Sequence, residues 1–122
     1  MPHTPSEQLE QALFIEVIRL APEGSALSIT TDSWQDLPRI FGKHIVIKEG
    51  EWLVPLSQEN RDFLVEKALS QNVQIQFVHF HIVTETDEII FSSYDGMCSI
   101  FMEANFPEYE RLEREYVSPL MT

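Results

Sequence analysis

Val73–Met102 reads VQIQFVHFHIVTETDEIIFSSYDGMCSIFM, and this stretch decides the fold. It is dense in β-branched and aromatic residues, and two clusters of turn formers interrupt it: Glu85-Thr86-Asp87 and Asp95-Gly96. Such a run spells three strands in succession, the first to about Thr84, the second from Glu88 to Tyr94, the third from Met97 to Met102. Asp-Gly is the pair a type I′ hairpin selects, because both central residues need positive φ. Strands joined by connections this short lie antiparallel. Within the first strand Val73, Ile75 and Phe77 share one face, then Val78, Phe80 and Ile82 share the other. That switch implies a bulge near Phe77, or a central strand covered on both sides at mid-length.

Upstream, Thr4-Pro5-Ser6-Glu7 has the form of a helix start, with Thr4 as N-cap, Pro5 in the first turn and Glu7 closing a capping box. Leu9, Leu13, Val17 and Leu20 follow at helical spacing, widened by Phe14, Ile15 and Ile18, and Pro22 and Gly24 stop the helix near Ala21. The segment Phe14–Leu20 also fits a buried strand. Ala26–Thr31 reads as a strand, and Asp32–Asp36 as a cap and helical turn broken by Pro38. Lys43–Lys48 alternates, and Glu49-Gly50 turns it into a strand over Glu51–Leu56 that Pro55 confines to an edge or ends. Ser57 caps a helix to about Gln71 that buries Phe63, Leu64, Ala68 and Leu69. Asn105 and Glu108 cap a last helix with Tyr109, Leu112 and Tyr116 on its inner face.

Runs of strands with short turns, interleaved with three helices, predict an α+β fold: a mainly antiparallel sheet of five to six strands with the helices packed largely on one face. A parallel βαβ unit around the second helix is left open by the pattern. The chain has 122 residues, one domain by length, enough to bury roughly two-thirds of its unfolded surface. A single cysteine, Cys98, excludes an internal disulfide. The first residues lack signal-peptide character and no apolar run reaches the ~20 residues a bilayer requires, so the expected location is cytoplasmic.

Charge constrains partners more than chemistry. Twenty acidic against eight basic residues give a net −12, spread along the chain. Such a field repels nucleic acid and anionic membrane and accelerates encounter with basic proteins. It also exceeds the magnitude of about 2–8 that solubility asks of a small domain.

Few residues offer chemistry. His79-Phe80-His81 places two imidazoles on one face of a strand, and Glu85 extends the string to H-x-H-x-x-x-E. This is similar to the start of a cupin metal motif, but the flanking glycines and the later histidine are missing, and His3 and His44 sit at no ligand spacing. The alternative is a pair of partly exposed sheet residues, which the strand's own apolar pattern supports. Cys98, on an alternating strand, has the character of a buried structural thiol. No phosphate loop, serine elbow or CxxC occurs. No cofactor and no catalytic residue is therefore assigned.

What remains is aromatics set among acids: Trp34 between Asp32 and Asp36, Trp52 after Glu49 and Glu51, and Tyr94 beside Asp95. Anchors inside a charged rim are the form of protein-binding hot spots, with core packing as the competing account of each. The partner-binding residues expected are Glu49, Glu51, Trp52, Glu85, Asp87, Tyr94 and Asp95, gathered at a hairpin end of the sheet. In its strong acidity, its α+β character and the stretch Glu88-Ile89-Ile90-Phe91-Ser92-Ser93-Tyr94-Asp95-Gly96, the chain resembles immunity proteins of bacterial toxin–immunity systems, including contact-dependent inhibition. That resemblance implies a basic toxin domain as partner, bound so that its active site is blocked. An acidic nucleic-acid mimic and a small metal-dependent enzyme using His79, His81 and Glu85 are the alternatives.

Overall fold

A computed structural model describes residues 5–30, 46–48, 50–70, 79–94 and 99–121. Six strands form one sheet: β1 (Ala26–Thr30), β2 (Val46–Lys48), β3 (Glu51–Pro55), β4 (Phe80–Val83), β5 (Ile89–Tyr94) and β6 (Ser99–Met102). Their order across the sheet is β2-β3-β1-β4-β5-β6, and every neighbouring pair is antiparallel. The parallel unit left open by the sequence pattern is present in split form: β3 and β4, joined through the helix Gln58–Leu69, both run antiparallel to β1 and so parallel to each other, with β1 inserted between them. Pro55 ends β3 and does not mark an edge, since β3 lies between β2 and β1.

The helices are α1 (Pro5–Leu20), α2 (Gln58–Leu69) and α3, which joins a turn Tyr109–Leu112, a π-helical segment Glu113–Val117 and a turn Ser118–Met121. The open choice for Phe14–Leu20 resolves as helix, with Leu13, Phe14, Val17 and Ile18 fully buried. α1 touches both other helices. The Thr4 cap, the turn expected at 32–36, the strand portion 73–78 and the Asp95-Gly96 turn lie outside the described residues.

Alternation along each strand sorts the side chains. Leu27 and Ile29 of β1, Val54 of β3, Phe80 and Ile82 of β4 and Phe91 of β5 join one buried cluster with Phe14 and Ile18 of α1, Leu64 and Ala68 of α2 and Leu112 of α3. Four rings run through it: Phe14 meets Phe80 edge-on at 5.3 Å, Phe80 stacks on Phe91 at 5.6 Å, and Phe91 meets Phe106 at 6.0 Å. All three helices contribute to this single cluster, so the helical layer covers one face of the sheet.

Polar anchors set the helices in place. Ser57 caps α2 by accepting from the Asn60 amide at 3.2 Å. From the next residue of α2, Arg61 reaches back to α1. Its guanidinium donates to the carbonyls of Ile18 (3.0 Å), Arg19 (3.3 Å), Ala21 (2.7 Å), Pro22 (3.3 Å) and Leu56 (2.9 Å). The last carbonyls of a helix have no partner within it and carry its negative dipole end, so a cation there is a cap as well as a clasp. Gln11 adds a side-chain bond to the Ala68 carbonyl, and Arg111 of α3 pairs with Glu16 of α1 at 2.6 Å.

α3 departs from expectation at its start. Glu108 precedes it in the left-handed region (φ 57°) and gives no side-chain cap; its carboxylate bonds Arg111 at 2.7 Å instead, which holds it below the usual carboxylate range. The π segment then replaces Tyr116 by Val117 as the next fully inward residue after Leu112, five positions on. Pro119 stands two positions beyond Val117, with no N–H to donate to the carbonyl four residues back.

Candidate functional site

The second face of the sheet carries the alternate residues, and among the described residues no helix packs on it. The register places Leu53, Ser28, His81, Ser92 and Phe101 in one transverse row. A bulge at Ile82/Val83 shifts β5 by one residue, pairing Val83 with Ile89. Ile89 thus joins Ser92 on this face although they stand three apart. Ile89 and Phe101 are 46% and 47% exposed, while Ser28 and Ser92 lie low between larger neighbours at 5% and 6%.

The serine of β1 creates a groove. Ser28, Glu51, Leu53, His81, Val83, Asp87 and Ile89 line a depression of about 320 Å³. Glu51 and His81 belong to β3 and β4, strands separated by β1, yet His81 Nε2 comes within 3.5 Å of Glu51 Oε1. Two side chains meet across an intervening strand only where the residue beneath is small, and Ser28 is that residue. The His81 side chain is only 11% exposed. Burial lowers its pKa, and the Glu51 carboxylate opposes that shift in part.

The residues singled out by sequence do not form one cluster. Register puts the β2–β3 turn at the Thr30 end of β1, and the β4–β5 turn at the Ala26 end. Glu51 and the end of β5 at Tyr94 therefore lie at one end of the sheet, Glu85 and Asp87 at the other, because antiparallel strands return their turns to alternate ends. Glu51 and Asp87 nevertheless line the same groove, which runs lengthwise between them. Glu85 turns away from it. Its carboxylate lies over Gly24 (φ 86°), where an added Cβ would collide with Glu85 Oε1. Trp52 also faces elsewhere: it alternates with Glu51 and Leu53, pairs with Ile29 and packs against the core. Glu49, Asp95, Cys98 and Trp34 lie outside the described residues, and only the backbone of Tyr94 is described.

The β4–β5 turn itself follows the expected chemistry. Thr84 Oγ1 accepts from the amides of Thr86 (3.3 Å) and Glu88 (3.2 Å), and Asp87 adopts φ 63°. The string His79, His81, Glu85 does not assemble, with Glu85 drawn to Gly24, and no group of three potential metal-ligating side chains occurs among the described residues.

Ser28, Leu53, Val83 and Ile89 were not anticipated as site residues. The signal was present in period-two alternation: once Leu27 and Ile29 are assigned inward, Ser28 must be outward, and Val54 inward forces Trp52 inward with it.

Fold and groove define an α+β protein with a one-sided helical layer and an acidic, partly apolar depression on its other sheet face. No protein family, curated protein or solved structure matches the chain. No helix among the described residues is long and apolar enough to cross a membrane.

Proposed function

We propose that this is a non-catalytic binding protein whose uncovered sheet face docks a basic protein partner, and that the partner is a toxin domain which it neutralises as an immunity protein in a bacterial cytoplasm. One observation supports the reading above others: a net charge of −12 accompanies a sheet face that combines exposed apolar residues, Ile89 and Phe101, with the Glu51 and Asp87 carboxylates. Apolar anchors within a rim of charge give affinity and steering together. The toxin and the bacterial source enter through the resemblance described above.

Capture of the partner from the source cell, followed by association kinetics between about 50 and about 300 mM salt, tests the reading. The association rate is expected to fall at least about tenfold while dissociation changes little. A partner as acidic as this chain, or an association rate indifferent to salt, sinks it. Growth rescue on co-expression then separates an immunity protein from a binding protein of another kind.

A further inference from the structure

We propose that the lengthwise groove seats one arginine or lysine side chain of the partner, its aliphatic stem along Leu53 and Val83 and its cationic head at the Glu51 carboxylate beside His81. The inference rests on the basic-partner reading and names what that partner inserts.

The walls of the groove are of two kinds. Leu53, Val83 and Ile89 are apolar, whereas Glu51 and Asp87 bring a carboxylate to each end. An anion is repelled by both ends, and a purely apolar group would leave a carboxylate against hydrocarbon, which is costly. Only a long side chain with an apolar stem and a positive tip matches both, which is the construction of lysine and arginine. Strand rise sets the length: four residues separate the Thr30 and Ala26 ends of β1, about 13 Å, enough to lay such a side chain along the strands. A depression of 320 Å³ holds one such side chain with its backbone attachment.

The two carboxylates are not equivalent. Glu51 is shielded to 31% side-chain exposure and stands against the nearly buried His81 ring, whereas Asp87 is exposed. A charge pair shielded from water is worth more than the same pair in it, so the head group belongs at Glu51. An imidazole in its neutral form leaves the Glu51 carboxylate its charge for the incoming cation.

The test uses the ¹⁵N-labelled full chain titrated with three blocked tripeptides, Ac-Gly-X-Gly-NH₂ with X arginine, lysine or norleucine. Both cationic peptides are expected to give saturable amide shifts centred on Ser28, Leu53, His81 and Val83 at millimolar concentration, and norleucine to bind at least about fivefold more weakly. Glu51→Gln should weaken the cationic peptides about fivefold or more, and Asp87→Asn less than about twofold. Norleucine binding as well as arginine, shifts spread evenly over the helices, equal effects of the two variants, or no saturation by about 20 mM would each overturn the assignment. The captured partner keeps the two levels apart. If its association depends on salt but its dissociation ignores Glu51→Gln, the groove assignment falls and the basic-partner reading stands; if association ignores salt, the reading beneath falls as well.

Discussion

The two faces of the sheet are built from alternate residues of the same strands, yet they differ in chemistry and in what covers them. Toward the helices stand Leu27, Ile29, Phe80, Ile82 and Phe91, all with no exposure. On the other side the same strands present Ser28, His81, Val83 and Ser92, and β6 adds the half-exposed Phe101. Stability is concentrated in the first face, which leaves the second to carry residues selected on other grounds. Period two makes the separation possible, since a strand can change one face without touching the other.

Substitutions sharpen this contrast in graded steps. The largest effect is expected at Phe80, which touches rings on both α1 and β5. Phe80→Ala should cost about 3–5 kcal/mol in urea denaturation, as lost transfer energy plus a cavity. Trp52 comes next. It packs on the helix-facing side, so Trp52→Ala should lower stability by about 2 kcal/mol or more. Should it instead leave the unfolding midpoint unchanged and alter only partner dissociation, Trp52 belongs to an interface and the division of faces fails.

His81 gives a smaller effect with a definite sign. Its pKa is lowered by burial, so the unfolded chain binds the proton more readily than the folded one. Stability held above the unfolded value of about 6.5 should therefore decline as pH falls through it, and level off below the folded value. His81→Gln should flatten that part of the profile, seen as the difference between the two chains in urea melts from about pH 7.5 to about pH 5. A profile unchanged by the substitution would show that the ring does not lose water on folding. The smallest effect is expected at Phe101, where Phe101→Ser should stay within about 0.5 kcal/mol of the parent.

Much of the fold was legible because its signals are local. Pro5, the apolar stripe Leu13–Leu20, the turn at Glu85-Thr86-Asp87 and the Ser57 cap each announce themselves within a few residues, and together they specify helices, strands and the antiparallel pairing across short turns. The site was less legible because it depends on register between distant strands. Nothing near Glu51 in sequence shows that it meets His81 over Ser28, and nothing near Glu85 shows that it is drawn to Gly24. Trp52 is a different case: adjacent acids suggest a rim, while alternation with Val54 places the indole on the helix-facing side. The position of Glu108 after Asn105 predicts a helix cap, but Arg111 three residues on competes for its carboxylate.

Arg61 sets an order of events on the folding path. Its bonds to the Ala21, Ile18 and Pro22 carbonyls span 40, 43 and 39 residues of chain. α1 can nucleate from its own turns within microseconds, but its final turn frays until α2 arrives, because the clasp exists only after that long loop has closed. The end of α1 therefore reports on docking and not on helix formation. In a kinetic series Arg61→Met should accelerate unfolding while leaving the folding rate nearly untouched, a φ-value near zero. A value near one would mean that the two helices meet before the sheet is assembled, which would make their contact the nucleus of the whole molecule.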